Sequence, residues 1–214
     1  MLTRVVLLTV FLMSSSGLLW AQCCTDTEIR AWQQAYKEDF LKDKRSPLTA
    51  ADTGKIRFFP ISRAHFNARL KRTPNSKPVQ MATHSGKVKT FKPYGVLKLW
   101  TDKGVIDLRP PALIIKRKLV LYESVDHPDD TTLFLPFYDE TNGKETYGGG
   151  RYMDIPKSLF KNTNTVWGAI DFNKAYNPWC VFKEGYSCPI PPKENTLHVR
   201  MDVGEMLPAD YRKD

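Results

Sequence analysis

Residues 118–138 have the sequence KLVLYESVDHPDDTTLFLPFY. It contains two runs rich in β-branched and aromatic residues, KLVLYES and TTLFLPFY, with the turn-forming sequence Asp-His-Pro between them. Runs of this composition bounded by turn formers are typical of β-strands. The stretch therefore predicts two strands joined by a turn.

Comparable runs recur along most of the chain, separated by pairs such as Pro-Asn, Ser-Gly and Asn-Gly. Thr-Asp-Lys-Gly between LKLW and VIDL is a hairpin signal. The other runs are IRFF, HFNARLKR, VQMAT, YGVLKLW, VIDLR, TVWGAIDF and TLHVRM. Short strands at this spacing indicate a mainly β fold, either an antiparallel β-sandwich or an open barrel.

One helix is predicted before the strands, within residues 22–45. Thr25 or Asp26 can cap it. Its apolar face at helical spacing contains Ile29, Trp32, Tyr36 and Phe40. We expect this N-terminal α-helix to pack on a single β-rich domain, residues 46–214.

Residues 1–21 have the pattern of a secretory signal peptide. Arg4 precedes an apolar run, and a polar break is followed by Leu-Trp-Ala. The alternative is a buried N-terminal strand or helix. No later stretch approaches the ~18 apolar residues of a membrane helix. The sequence therefore predicts a soluble protein without a transmembrane segment, exported to the periplasm or secreted.

Cleavage after Ala21 would leave Cys23 near the new N-terminus. A lipid anchor at Cys23 is an alternative that we do not favour, because Gln22 is not the small residue that lipoprotein processing requires. Loss of the signal peptide, with one Arg and no acidic residue, changes the net charge from +9 to +8. A net positive charge favours binding to acidic partners. Only IIKRK clusters the basic residues, however, so we expect no nucleic-acid partner.

The stretch GKETYGGGRY, residues 143–152, contains three consecutive glycines. In a P-loop the lysine follows the glycines and a helix comes next, whereas here the lysine comes first and Pro156 follows. The dinucleotide-binding pattern fails as well, because its third glycine is missing. We interpret the stretch as a strand-to-strand turn whose glycines let the backbone pass tightly under the DFNKAYNP segment.

Five segments occur along the chain in this order: FLKDKRSPLTAAD, IRFFPI, LFLPFYDETNGKETYGGGRYMD, AIDFNKAYNPWC and YSCPIPPKENTLHV. In these segments the chain resembles the bacterial family called domain of unknown function 1684 (DUF1684), in its shorter form. The resemblance covers essentially the whole chain after the signal peptide. It implies the fold and an exported context, but no catalytic role, because the family has no established activity.

The polar residues of these segments allow two interpretations. They could form ion pairs and turn hydrogen bonds that only maintain the fold. Alternatively, they could converge in a cleft that holds a small polar or anionic ligand. The ligand-binding candidates are Lys144, Tyr147, Arg151, Asn173 and Tyr176, and the candidate general bases are Glu145 and Asp171.

Three functional classes follow from these interpretations: a ligand-binding module, an enzyme of hydrolase or lyase type that uses the same cleft, and an envelope interaction or structural protein. No metal site is predicted, because the chain has no Cys-x-x-Cys or His-x-x-x-His pair and no calcium-loop spacing of acidic residues. We predict no cofactor.

Cys180 and Cys188 are predicted to form a disulfide. An exported protein meets an oxidising environment, and the residues between the two cysteines are rich in turn formers. Two free buried thiols are the alternative.

Overall fold

The computed structural model describes residues 25–100 and 118–211. The predicted signal peptide, Cys23, the Thr-Asp-Lys-Gly hairpin turn and the VIDLR strand lie outside these residues.

The predicted helix is confirmed as α1, Asp26–Lys42. A capping box starts it: the Glu28 N–H donates to the Thr25 hydroxyl oxygen at 3.3 Å, and the Glu28 carboxylate accepts the Thr25 N–H at 2.6 Å. Its buried residues, Ile29 and Phe40, come from the face that the sequence predicted. Across the described residues, we find no helix with the length and apolar character needed to cross a bilayer.

Antiparallel strands make up most of the remaining regular structure. They are β1 (Arg57–Phe58), β2 (His65–Arg72), β3 (Val79–Ala82), β4 (Val88–Trp100), β5 (Lys118–Ser124), β6 (Thr132–Phe137), β7 (Arg151–Pro156), β8 (Thr165–Asp171) and β9 (Glu205–Met206). Short 3-10 helices lie at Ala50–Lys55, Lys157–Phe160, Phe172–Lys174, Trp179–Val181 and Lys193–Asn195.

The larger sheet has the order β7-β6-β5-β4-β2-β8, and β3 pairs with β4 beside this path. It curls into a half-barrel, while β1 and β9 form a second, two-stranded sheet. The mainly β fold with one N-terminal helix is thus confirmed, in its open-barrel form. The inward residues form the core, among them Phe66, Leu97, Leu119, Leu135 and Phe137.

The two ends of the larger sheet meet through one backbone pair. Tyr152 of β7 and Tyr176, which follows β8, exchange N–H to carbonyl hydrogen bonds of 2.8 and 2.9 Å. This pair brings the GKETYGGGRY and DFNKAYNP segments together.

Two details of the strand prediction were wrong. The TLHVRM run is irregular apart from a bridge between Thr196 and Tyr138. Its apolar residues Leu197 and Met201 are buried in the core, which explains why the run resembles a strand. Conversely, Arg151–Pro156 forms a six-residue strand that was not among the predicted runs.

The predicted disulfide is confirmed between Cys180 and Cys188, whose Cα atoms lie 6.3 Å apart. It closes the loop that follows Trp179. Trp179 and Phe182 pack against Phe40 of α1, so this loop and the helix share a small apolar cluster.

Candidate functional site

Strand β7 sends its side chains alternately to the two sides of the sheet. Arg151, Met153 and Ile155 point into the half-barrel and are buried, whereas Asp154, on the opposite face, stays accessible to solvent. The same strand therefore carries a charged residue on each face.

The inward charge is fully enclosed by protein groups. Arg151 Nη2 lies 2.7 Å from Asp139 Oδ2, and neither side chain is exposed to solvent (0%). The guanidinium also donates to the carbonyl oxygens of Met201 (2.9 Å) and Val203. On the other side of the pair, the Thr141 N–H donates to Asp139 Oδ1 at 2.9 Å. Arg151 thus holds the irregular 201–203 segment against the core.

Asp171 and Asn173 are also buried in a local network. Asp171 Oδ1 accepts the Asn173 N–H at 2.9 Å, and the Asn173 side chain exchanges hydrogen bonds with the backbone of Ser62. These contacts fasten the turn after β8 to the segment that enters β2.

The remaining candidates lie elsewhere. Glu145 forms a partly exposed ion pair with Arg200 at 3.0 Å, and Lys144 is exposed. Tyr147 packs edge-on against His84 and lines a depression that Tyr176 does not reach. The structure thus brings the two segments together but does not bring the seven candidate side chains onto one cavity.

The glycine turn is tight at Gly149 and Gly150. Gly150 has φ +91°, and a Cβ there would lie 2.9 Å from the carbonyl oxygen of Phe137 and 2.5 Å from Cγ of Pro191. A Cβ on Gly149 would meet the His84 ring at 2.3 Å, whereas Gly148 has room for one. The glycines therefore pass against His84, Phe137 and Pro191, and not under the DFNKAYNP segment as predicted.

The outer face of β7 borders a depression of about 530 Å³, which we call the aromatic groove. Its rings come from strands β4, β6 and β7, from the segment that follows β8 and from the loop closed by the disulfide. They are Phe91, Phe134, Tyr152, Tyr176, Trp179 and Tyr186. A second depression, of about 950 Å³, runs along α1 and shares Arg45, Asp154, Tyr176 and Trp179 with the first. The two depressions meet at Asp154 and Tyr176.

The Asp154–Tyr176 pair lies at this junction. The Tyr176 hydroxyl donates to Asp154 Oδ2 at 3.0 Å. Loss of surrounding water raises the pKa of Asp154, the hydrogen bond from Tyr176 opposes the rise, and the nearby Asp130 carboxylate adds to it. Desolvation and the Asp154 carboxylate raise the pKa of Tyr176, so its hydroxyl stays a donor at neutral pH.

The other tyrosine hydroxyls of the groove also donate to protein groups. Tyr152 donates to the Pro189 carbonyl and Tyr186 to the Arg45 carbonyl, both at 2.5 Å. Each of these oxygens keeps lone pairs, and Asp130 and Asp154 add carboxylate oxygens. The groove is therefore richer in acceptors than in donors, with the donors Arg45 and Lys89 among its lining residues.

A second carboxyl group, Glu205 of β9, lies nearby inside the protein. It accepts the Tyr36 hydroxyl of α1 at 3.0 Å and the Asn177 N–H at 2.8 Å. Burial raises its pKa to about 8, against the opposing effects of these hydrogen bonds and the Arg151 charge. Tyr36 also packs against Tyr176, with ring centroids 5.5 Å apart. Glu205 thus links α1 to the floor of the groove.

Sequence reasoning did not select Asp154, Glu205 or Tyr36 as site residues. The alternation in RYMDIP could have pointed to Asp154, which lies on the face opposite Arg151. Nothing local marks Glu205, because its partner Tyr36 is 169 residues away. Within residues 25–100 and 118–211, no three His, Cys, Asp or Glu side chains are grouped to hold a metal ion.

Comparison with known proteins places these features in a family. The model of the family described as "Protein of unknown function (DUF1684)" matches residues 53–206. The chain belongs to the DUF1684 family. The matched range contains β1 to β9, Asp154, Tyr176 and Glu205, while α1 of this DUF1684 protein precedes it.

The fold resembles the solution NMR structure of an uncharacterised protein from Haloarcula marismortui. The two sequences are 25% identical, the TM-score is 0.59, and the match covers 85% of this chain and 97% of the other. No curated protein matches the sequence.

Proposed function

We propose that this DUF1684 protein binds a small polar ligand in the aromatic groove, at the Asp154–Tyr176 pair. The observation that supports this proposal is the junction of two depressions at a solvent-accessible carboxylate flanked by aromatic rings. Concave sites with aromatic walls and a few polar groups are where small ligands usually bind.

The chemistry of the groove favours a ligand that carries hydrogen-bond donors. Ring faces suit a ligand with a flat apolar side, and the acceptor oxygens suit hydroxyl or amino groups. Two carboxylates, Asp130 and Asp154, lie in the groove, so a ligand with a high negative charge would be repelled there. We therefore favour neutral or amino-bearing ligands, such as sugars, over the anionic ligands that the sequence left open.

The test is a thermal-shift and calorimetry screen with monosaccharides, disaccharides, polyols and amines. A ligand that binds only the folded protein raises its melting temperature, and this rise should be lost in Asp154→Asn, which preserves the size of the side chain. Asp126→Asn is the matched control, because Asp126 is exposed and outside the groove. The proposal fails if no ligand binds, or if binding persists equally in Asp154→Asn and the control.

An enzymatic role for the same groove has one supporting observation, the raised pKa of Asp154. A carboxyl group that holds its proton to higher pH can serve as a general acid. Turnover of a ligand found in the screen, lost in Asp154→Asn, would favour an enzyme over a binding module.

We also propose that the protein is exported. Its first 21 residues have the signal-peptide pattern, and a disulfide is compatible with an oxidising compartment. Intact-mass analysis should give an unlipidated chain that starts at Gln22. Retention of residues 1–21 would contradict export, and a mass increment of acyl chains on Cys23 would indicate a lipoprotein.

A further inference from the structure

A different surface of the half-barrel concentrates positive charge. Strands β8, β2, β4 and β5 are neighbours in the sheet, and their inward residues form the core. We use "cationic face" for the outward side of these strands, which carries Arg69, Lys71, Lys98, Lys118, Trp100 and Trp167.

The strand register places three of these cations in one row. Arg69 of β2 lies opposite Lys98 of β4, and Lys98 lies opposite Lys118 of β5. Like charges directly opposite each other across strands destabilise a sheet. The row is thus a cost to folding that pairing within the sheet does not explain.

In the part of the chain that the structure describes, acidic side chains do not neutralise this row. The four strands contain only two acidic residues, Glu123 and Asp171. Asp171 is buried and bonded to Asn173, and Glu123 pairs with Lys157 at 3.4 Å. Arg69 has a neutral partner, the Thr165 hydroxyl at 3.3 Å. Among the described residues, no ion pair involves any of the three cations in the row.

Two tryptophans lie beside the row. Trp167 of β8 is 55% exposed, and its ring packs edge-on against Trp100 at 5.7 Å. Trp100 is two residues from Lys98, on the same face of β4. Exposed indoles beside cations are characteristic of surfaces that meet the water–lipid boundary.

We propose that the cationic face binds the anionic headgroups of a lipid bilayer. Charge complementarity supports it, because each Lys or Arg near such a surface favours binding, and three in one row would together contribute about a hundredfold to partitioning. The face is the outer side of a sheet and offers a broad surface. Its two indoles pack against each other, whereas proteins that bind single-stranded nucleic acid distribute aromatic side chains so that successive bases stack on them.

The experiment is cosedimentation of the purified protein with vesicles of phosphatidylcholine, alone or mixed with phosphatidylglycerol. We expect binding to the mixed vesicles, little binding to phosphatidylcholine alone, and release at high salt, because surface charges are screened. Tryptophan fluorescence should shift to the blue on binding. Trp167→Phe should reduce this shift.

Two charge-matched triple variants distinguish the effect of the cationic row from the effect of the protein's net charge. Arg69→Gln/Lys98→Gln/Lys118→Gln should weaken partitioning about a hundredfold. Arg30→Gln/Lys77→Gln/Lys87→Gln removes as many exposed positive charges from other places and should bind nearly as the parent protein does.

Three outcomes would overturn the proposal: no binding to the mixed vesicles, equal losses in the two triple variants, or binding to a single-stranded oligonucleotide with none to vesicles. Circular dichroism and melting curves establish that the variants are folded. Because none of these residues lines the aromatic groove, this test is independent of ligand binding there.

Discussion

The two faces of strand β7 each carry a charged residue, but the protein surrounds the two residues differently. On the inner face, Arg151 is enclosed with Asp139 and two backbone carbonyl groups. On the outer face, three residues further along, Asp154 has one tyrosine partner and remains open to a groove. A dense polar signature in a sequence can therefore be assigned to a binding site only when the face on which each side chain lies is known.

The energetic consequences differ accordingly. A buried ion pair contributes little net stability, but loss of one partner leaves an unpaired charge in a medium that solvates it poorly. A solvent-accessible carboxylate that loses a hydrogen bond can turn to water. Substitutions on the inner face should thus act on stability, and those on the outer face on binding and titration.

The largest effect is expected for Arg151→Met, which removes the charge and keeps much of the volume. It leaves Asp139 buried without its cation, so the free energy of unfolding should fall by about 3–5 kcal/mol in urea melts. Arg200→Met is the control: its ion pair with Glu145 is partly exposed and should contribute only about 0–1 kcal/mol.

The double variant Arg151→Met/Asp139→Leu sharpens this test, because removal of both charges should recover part of the loss. Equal stabilities for Arg151→Met and Arg200→Met would show that the inner pair does not maintain the fold.

The next largest effect concerns the turn that leads into β7. Gly150→Ala should cost about 2–3 kcal/mol, because the residue has positive φ and its Cβ would meet Pro191 and the Phe137 carbonyl group. Gly148→Ala, two residues earlier, should be nearly neutral, because its Cβ finds space. Thermal or urea unfolding measures both, and equal costs would mean that the turn adopts another path.

Much of the fold could be predicted because its determinants are local. The capping box of α1 and the runs of β2 and β5 are visible in short windows of sequence, and the strands observed there follow the predicted runs. The Cys180–Cys188 disulfide also depends on a short loop. Strand β7 was missed because it follows three glycines and ends at Pro156, and both are signals for turns.

The candidate site was less predictable because it depends on distant contacts. In the sequence, Arg151 resembles a ligand-binding residue. In the fold, Asp139 and carbonyl groups of the 201–203 segment enclose it. The TLHVRM run was predicted to be a strand, but its buried residues pack into the core without continuous strand pairing. These outcomes depend on tertiary packing, which short sequence windows do not contain.

A smaller effect is expected from Glu205, the buried carboxyl group of β9. Its folded-state pKa of about 8 exceeds the usual 4.5, so the folded protein binds the proton more tightly than the unfolded chain does. The resulting stability is fully present below the unfolded pKa and is lost as pH rises through about 8. Between pH ~6 and ~8, the free energy of unfolding should fall by about 2 kcal/mol.

Glu205→Gln should flatten this pH dependence, because the amide keeps an acceptor for Tyr36 and Asn177 but does not ionise in this range. Glu184→Gln, at an exposed position, is the control and should keep the slope. A parent protein whose stability does not fall over this range would contradict the assignment of a buried, protonated Glu205.

The smallest effect is expected on the outer face, for Tyr176→Phe. The ring still packs against Tyr36 and Tyr152, and the lost hydrogen bond reaches a carboxylate open to water, so stability should change by no more than about 1 kcal/mol. The pKa of Asp154 should rise further, because the Tyr176 hydroxyl stabilises its ionised form. A pH titration followed by carboxyl ¹³C NMR measures this directly.

Tyr186→Phe is the control. It removes another hydroxyl of the same groove, one that donates to the Arg45 carbonyl, so the pKa of Asp154 should not change. If Tyr176→Phe instead destabilised the protein as strongly as Arg151→Met, the outer pair would also be a structural element, and the contrast between the two faces of β7 would not hold.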